Sequence, residues 1–118
     1  MRIIEADQYE FPQGPSSEEF IRICTHKIGM WPYQTIEAFS VAISEPGDPI
    51  QLGEPTNFST LSNSEVIELV SNLERFAGIQ LSPKPDWTIF VLENEWNENH
   101  YLIVTDEIFL SYYWATAA

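Results

Sequence analysis

The last apolar run of the chain, residues 108–115, limits the folds that this sequence can adopt. Alternate residues of a strand point to opposite faces of a sheet. Here both faces are apolar, with Ile108, Leu110, Tyr112 and Trp114 on one and Phe109, Tyr113 and Ala115 on the other. A strand of this kind at a sheet edge would invite aggregation. We therefore predict that it lies inside a sheet, flanked by residues 36–44 or by the N-terminal strand.

Two further strands precede this run and predict a three-stranded meander. Residues 87–93 are rich in residues that favour strands, and residues 100–105 form a second run of the same kind. The polar segment 94–99 separates these two runs, and Asp106 and Glu107 form a short turn before the last strand. Short turns between successive strands are typical of antiparallel pairing.

The clearest helix signal covers residues 64–77. Ser62 and Glu65 have the spacing of a capping box, in which each side chain bonds to the backbone of the other residue. Gly78 follows the segment and suits a helix end. Helical spacing relates the apolar residues Val66, Ile67, Leu69, Val70, Leu73 and Phe76.

The rest of the chain completes a prediction of an α+β fold. We predict a strand within residues 2–11, a helix at 16–28, a strand at 36–44 and a long connection from 45 to 62. The helix prediction depends on Phe20, Cys24 and Ile28, which lie four residues apart. The expected architecture is two-layered, with two helices packed on an antiparallel sheet of four or five strands. Residues 1–118 have the size of a single domain.

Charge is the property that bears most on function. Eighteen Asp and Glu residues against five Lys and Arg residues leave a formal net charge of −13. A surface of this sign repels phosphate backbones and anionic lipid headgroups, which disfavours direct binding to nucleic acid or to a membrane. The same field favours encounters with a basic protein. The alternative is that the charge serves solubility alone.

The remaining composition indicates a cytoplasmic protein. Cys24 is the one cysteine, so no intrachain disulfide can form, which fits a reducing compartment. The N-terminal residues lack the apolar run of a signal peptide. No stretch approaches the length of about 20 apolar residues that a membrane helix needs.

No pattern in the sequence indicates catalysis, a metal or a cofactor. Cys24 and His26 lie two residues apart, which on a helix would point them in different directions, and His100 is remote in sequence. One cysteine and two distant histidines do not form a zinc site, and the phosphate-binding glycine motifs are absent. We expect no enzymatic activity, no metal and no cofactor.

One segment is a candidate for binding a partner. Three acids surround Trp96 at the predicted hairpin tip, where the indole could anchor an interface and the carboxylates could attract Arg and Lys. Glu93 and Glu95 would share one face if the strand extends that far. The alternative is that Trp96 packs onto the sheet. The predicted partner-binding residues are Glu93, Glu95, Trp96 and Glu98, with Asp106 and Glu107 forming a separate patch.

A second aromatic segment follows the predicted first helix. Met30, Trp31 and Tyr33 lie close together in a loop. Such side chains can form an adaptable contact surface. The alternative, which we favour, is that they form a lid over the core.

Three classes of function fit these features. The leading hypothesis is an acidic inhibitor that neutralises a basic intracellular protein. In size and acidity the chain is similar to the immunity proteins that bacteria make against nuclease toxins, and to phage proteins that imitate nucleic-acid charge. That similarity is one of class and rests on no motif. The second hypothesis is a ligand-binding module or small enzyme with an aromatic-lined pocket. The third is a subunit of a larger assembly.

Overall fold

The computed structural model describes residues 1–7, 18–84 and 86–116. Its elements are β1 (Arg2–Ala6), β2 (Glu19–Lys27), α1 (Ile36–Ile43), α2 (Asn63–Ala77), β3 (Thr88–Glu95), β4 (Glu98–Val104) and β5 (Ile108–Thr116). The five strands form one antiparallel sheet in the order β1-β2-β5-β4-β3. The α+β fold class and the C-terminal meander β3-β4-β5 are therefore confirmed.

The last strand, β5, lies at the centre of the sheet. It pairs with β2 from Lys27 opposite Ile108 to Glu19 opposite Thr116, and with β4 on its other side. The prediction of an interior position is confirmed. Its other neighbour is β2, so the predicted flank, either residues 36–44 or the N-terminal strand, is wrong.

The helix predicted at residues 16–28 is wrong, since Glu19–Lys27 form strand β2. Residues 16 and 17, at the start of that prediction, lie outside the described residues. Ile21 and Ile23 are buried on one face of the sheet, and Cys24 is buried on the other. A spacing of four residues is close to one helical turn and is also a multiple of the strand period of two. The apolar residues at 20, 24 and 28 therefore fit both structures.

The strand predicted at residues 36–44 is also wrong, since Ile36–Ile43 form helix α1. The side chain of Thr35 caps this helix by accepting a hydrogen bond from the Ala38 backbone N–H at 3.1 Å. Phe39 is fully buried, whereas Val41, two residues further on, is 71% exposed. A strand would have placed these two side chains on the same face.

Helix α2 is confirmed with its predicted cap. The Ser62 hydroxyl accepts from the Glu65 backbone N–H at 3.2 Å, and the Ser62 N–H donates to the Glu65 carboxylate at 2.9 Å. The hydrogen bond that the Ser62 backbone donates to the carboxylate lowers the pKa of Glu65 below its ordinary value. Gly78 ends the helix with a φ of +66°, a left-handed conformation that suits glycine. No helix in the described part of the chain is long and apolar enough to cross a bilayer.

The N-terminal strand prediction is confirmed over Arg2–Ala6. Residues 8–11 of that prediction lie outside the described residues. β1 forms an edge of the sheet, and β3 forms the other. Within the long connection, Thr56 exchanges two backbone hydrogen bonds with Ile89 at 2.8 and 2.9 Å, and so extends the sheet locally beyond β3.

The two helices pack on opposite faces of the sheet, so the layering differs from the two-layer expectation. Leu69 and Leu73 of α2 join the larger apolar cluster, which includes Ile21, Ile23, Ile89, Tyr101, Ile103, Leu110 and Tyr112. Phe39 of α1 joins a smaller cluster on the other face, with Cys24, Leu102 and Phe109. An apolar cluster therefore lies on each face of the central strand. The helix α1 is short, and part of the second face remains open as a groove.

Candidate functional site

The tip of the β3–β4 hairpin presents an indole to solvent. Trp96 is 75% exposed, so the alternative in which it packs onto the sheet is wrong. An exposed indole retains apolar surface that a partner could cover. The structure thus leaves Trp96 accessible, as an interface anchor requires.

Three acids of this hairpin lie on one face of the sheet. Strand β3 extends to Glu95, so Glu93 and Glu95 share a face as predicted. Glu95 lies directly opposite Glu98 on β4, and Glu93 lies opposite His100. Like charges directly opposite each other destabilise a strand pair. The hairpin tip therefore places neighbouring acids on one face of the sheet, where they can attract a cation.

Contacts with β5 hold the tip in place. The Thr116 N–H donates to the Asn97 carbonyl at 2.9 Å, and the Tyr113 hydroxyl donates to the Glu98 carboxylate at 2.7 Å. Burial, reinforced by the Glu98 and Glu93 carboxylates, raises the pKa of Tyr113 to about 12. Tyr113 is therefore a neutral donor at physiological pH. A tip that is fixed in advance loses less conformational entropy on binding.

Asp106 and Glu107 lie at the other end of the sheet, in the turn between β4 and β5. Asp106 forms an ion pair with Lys84 at 3.1 Å and accepts a hydrogen bond from the Trp87 indole at 3.3 Å. β5 spans nine residues, so the two ends lie about 27 Å apart at 3.4 Å per residue. These two acids are therefore a separate patch from the hairpin tip, as predicted.

In the second aromatic segment, residues 30–33, Met30 and Trp31 are exposed and Tyr33 is half-buried. Trp31 is 81% exposed and Met30 is 53% exposed, so neither forms a lid over the core. Tyr33 is half-buried and packs edge-on against the His26 ring at 5.2 Å. This loop follows the Lys27 end of β2, which pairs with Ile108. Trp31 therefore belongs to the end of the sheet remote from Trp96.

A groove of about 670 Å³ lies on the α1 face of the sheet. Its floor comes from β2, β4 and β5, and segment 43–51 forms one wall. Glu93 and Glu98 of the hairpin line it as well, so the groove runs to the acidic tip. The volume lies within the range of about 300–1,000 Å³ that is usual for ligand pockets.

The charged lining of the groove is mostly acidic. Five carboxylates face one guanidinium, namely those of Glu5, Glu45, Asp48, Glu93 and Glu98 against Arg22. His100 adds no positive charge, because burial lowers its pKa to about 4. The formal charge of the lining is thus −4. An occupant that matches this field is cationic.

Arg22 is the internal cation of the groove. Its Nε lies 3.4 Å from a Glu5 oxygen, and its Nη1 lies 3.7 Å from a Glu45 oxygen. Both separations exceed those of a close charge-assisted hydrogen bond. The Nε atom is buried and makes no hydrogen bond. Arg22 therefore offsets the acids at the β1 side of the groove only loosely.

His100 and Ser111 form a neutral pair on the floor of the groove. The His100 Nε2 lies 3.2 Å from the Ser111 hydroxyl, and its ring packs edge-on against Tyr113 at 5.4 Å. Because the imidazole is uncharged at neutral pH, it can act as a hydrogen-bonding group and contributes no repulsion to a cation. Nothing in the sequence pattern associates these two residues, which come together through the pairing of β4 with β5.

The cysteine and histidines do not form a nucleophilic set. Cys24 lines the same groove as His100, but burial raises the pKa of its thiol despite the nearby Arg22 guanidinium. Nucleophilic cysteines require the opposite shift. His26 is buried, and its Nε2 lies 2.8 Å from the Met30 carbonyl. We therefore assign Cys24 and His26 packing roles.

Neither metal geometry nor similarity to other proteins identifies this site. Within residues 1–7, 18–84 and 86–116, no three His, Cys, Asp or Glu side chains are grouped so as to hold a metal ion. Comparisons with protein-family models, with curated proteins and with solved structures gave no match. The functional interpretation therefore depends on the hairpin tip and the groove. Of the groove residues, the sequence prediction included Glu93 and Glu98 but missed Arg22, Ser111 and Tyr113.

Proposed function

We propose that this protein binds and neutralises a basic protein partner through the acidic tip of the β3–β4 hairpin. The observation that carries the proposal is the exposed Trp96, held among Glu93, Glu95 and Glu98. In this interpretation Trp96 supplies the apolar anchor and the carboxylates supply the attraction for Arg and Lys.

Three further features support this proposal. The net charge of −13 favours rapid encounters with a cationic surface. Glu95 and Glu98 lie on directly opposite strand positions and so present two acids close to a bound cation. The hydrogen bonds from Thr116 and Tyr113 fix the tip before binding. Together they describe a preorganised acidic surface with one large apolar side chain at its centre.

A nuclease-like toxin is the partner class that we propose in particular. Proteins that act on nucleic acids present cationic surfaces to phosphates. An acidic inhibitor could cover such a surface, with its carboxylates in the positions of the substrate phosphates. An immunity protein and a phage protein that imitates nucleic-acid charge would both act in this way. They differ in the identity of the partner and not in the physical basis of the contact.

The test is affinity capture from the native lysate at low salt, followed by elution with salt and identification of the proteins released. Trp96→Ala should abolish or strongly reduce recovery of a specific basic protein. Trp31→Ala is the matched control, because Trp31 is equally exposed at the remote end of the sheet. Recovery of that protein should fall steeply with salt, because charges are screened beyond about 8 Å at physiological ionic strength.

Two outcomes would contradict the proposal. The first is equal loss of the partner with Trp96→Ala and Trp31→Ala, since no role specific to the hairpin tip would then remain. The second is a captured protein that is itself acidic or that binds independently of salt.

The groove favours a second candidate function, the binding of a small ligand. Its volume and its aromatic and polar lining, including Phe20, Tyr113 and His100, suit a small molecule. The test is a screen of small organic cations and neutral metabolites by ligand-observed NMR. A ligand that binds tightly and contacts His100 would favour this function over a protein partner.

A further inference from the structure

We propose that the groove receives an arginine side chain of the basic partner, at the end of the groove lined by Glu93 and Glu98. This inference rests on the proposed function and adds the chemistry by which the partner is recognised. It is carried by the shape of the groove, the distribution of its charges and its aromatic lining.

Glu5 and Glu45 on the β1 side of the groove share one internal cation, whereas Glu93 and Glu98 on the hairpin side pair with none of the described Lys and Arg side chains. Glu5 and Glu45 lie 3.4 and 3.7 Å from the Arg22 guanidinium. Among the Lys and Arg side chains that the structure describes, none forms an ion pair with Glu93 or Glu98. Glu98 has a neutral partner, the Tyr113 hydroxyl at 2.7 Å. The hairpin side of the groove therefore offers an external cation two carboxylates that no described Lys or Arg pairs with.

Arg22 already places one guanidinium at the β1 side of this groove. Its side chain lies between a carboxylate of β1 and one of the loop after α1, and Glu93 and Glu98 line the other side. A guanidinium offers several donors in one plane and can bond two carboxylates at once. An ammonium group is compact and more strongly hydrated.

The aromatic residues of the groove favour arginine over lysine. Phe20 and Tyr113 both line it and pack edge-to-face, with ring centroids 6.2 Å apart. Phe20 lies at the surface and is 36% exposed. A planar guanidinium can stack on such a ring while its N–H groups reach carboxylates. The aliphatic stem of the arginine would cover the apolar Leu92, which also lines the groove.

The groove and the Trp96 tip are continuous, so one partner can engage both. Glu93 and Glu98 belong to the hairpin whose turn carries Trp96, and they also line the groove. A partner loop seated on the indole therefore lies next to the groove entrance. Charge complementarity selects a cationic side chain for that position.

The experiment titrates the folded protein with a blocked glycine-arginine-glycine peptide and follows backbone and His100 resonances by NMR. The expected result is a set of shifts confined to the groove, including His100 and Tyr113. We expect the matched lysine peptide and spermidine to bind about fivefold more weakly, because neither combines the planar donors with ring stacking. Binding of spermidine as tight as that of the arginine peptide would overturn the assignment and indicate a site for small organic cations.

Matched charge variants locate the site. The double variant Glu93→Gln/Glu98→Gln should lower the affinity for the arginine peptide about fivefold or more, which corresponds to about 1 kcal/mol of binding free energy. Glutamine at 98 still offers an oxygen to the Tyr113 hydroxyl, so the fold is preserved. The control Glu54→Gln/Glu74→Gln removes the same charge from exposed positions outside the groove and should change the affinity less than twofold. Equal effects of the two double variants would overturn the proposal.

The partner recovered by capture separates this inference from the proposed function. If Trp96→Ala and Glu93→Gln/Glu98→Gln both release the partner while the arginine peptide causes no shifts in the groove, the groove assignment fails and the function stands. If both variants retain the partner at full affinity, the proposed hairpin function fails as well. The inference is supported when both variants weaken partner binding, the control does not, and the arginine peptide binds in the groove.

Discussion

The Asn72 side chain of helix α2 donates a 2.8 Å hydrogen bond to the Tyr112 hydroxyl at the centre of the sheet. Both residues are buried, so this bond joins the main helix to the central strand inside the core. The Tyr112 ring also stacks on Tyr101 at 6.0 Å. Burial raises the pKa of Tyr112 above its ordinary value, so its hydroxyl stays neutral.

Tyr112→Phe should lower the free energy of unfolding by about 1–3 kcal/mol, because the Asn72 amide is left buried without its acceptor. Tyr101→Phe is the matched control. Its hydroxyl donates to Glu65 over a longer distance of 3.4 Å near the surface, so its removal should cost less than about 1 kcal/mol. Urea denaturation measures the free energy of unfolding of both variants. Equal losses in the two variants would contradict a specific role for the hydrogen bond from Asn72.

Helix α1 offers a paired test of burial on the groove face of the sheet. Phe39→Ala should destabilise the protein by about 3–5 kcal/mol, because a fully buried ring is lost from the smaller core cluster. Val41→Ala on the same helix should change the free energy of unfolding by less than about 0.5 kcal/mol, because Val41 is mostly exposed. A large effect at Val41 would mean that this face of α1 is covered.

Ser62→Ala should lower the free energy of unfolding by about 0.5–2 kcal/mol, because it removes the hydroxyl acceptor that caps α2. The loss should be smaller in Ser62→Asp, because aspartate also caps helices and suits the N-terminal dipole. Thermal or urea denaturation followed by circular dichroism measures both variants. Equal stability of Ser62→Ala and the unmodified protein would show that the capping box contributes nothing.

His100 should make stability depend on pH below neutrality. Its ordinary pKa is 6.5, and burial lowers it to about 4 in the folded state. Between these values the unfolded chain binds a proton that the folded chain does not. The free energy of unfolding should therefore fall as the pH decreases, by up to about 1.4 kcal/mol per pH unit.

The matched variant for this prediction is His100→Gln, which keeps a polar group near Ser111 and does not titrate. Relative to this variant, the unmodified protein should keep a constant stability above pH 7 and lose about 1–2 kcal/mol between pH 6.5 and pH 5. Subtracting the stability of His100→Gln from that of the unmodified protein at each pH cancels the contribution of the carboxylates, which both proteins contain. An imidazole that titrates near pH 6.5 in the folded protein, measured by NMR, would contradict this account.

The parts of the fold that could be predicted from the sequence are those with a local cause. Helix α2 has a capping box at one end and a glycine at the other, and both act within a few residues. The meander followed from short turns and from a last strand with two apolar faces. Acidic and amide residues surround Trp96 in sequence, but the sequence left open whether the indole is exposed or packs onto the sheet.

The secondary structure of residues 19–27 and 36–43 could not be assigned correctly from the sequence alone. Each segment has features of both a helix and a strand. Strand β2 is packed against other residues on both faces. Its buried residues Ile21, Ile23 and Cys24 therefore do not show the alternation of apolar and polar side chains that marks a half-exposed strand. In α1, Ile36, Phe39 and Val41 favour a strand by composition, and packing on the sheet overrides this preference. Thr35 followed by Glu37 was the available helix signal. The two errors exchanged a helix for a strand, so the predicted fold class was unaffected.

The groove could not be predicted because its residues come from distant parts of the chain. Glu5, Arg22, Glu45 and His100 meet only when β1, β2 and β4 take their places in the sheet. The incorrect helix at 16–28 also removed Arg22 from the sheet. A site of this kind depends on strand order, which the sequence pattern did not determine.

The central claim is that the carboxylates of the hairpin, and not the net charge alone, attract the partner. The most direct measurement is the association rate constant with the captured partner, by stopped flow, for two triple variants of equal charge. Glu93→Gln/Glu95→Gln/Glu98→Gln should lower this constant about tenfold at low salt and flatten its dependence on salt. Glu37→Gln/Glu54→Gln/Glu74→Gln should lower it less than about threefold, because those exposed acids lie away from the tip. Equal reductions by the two triple variants would contradict the account.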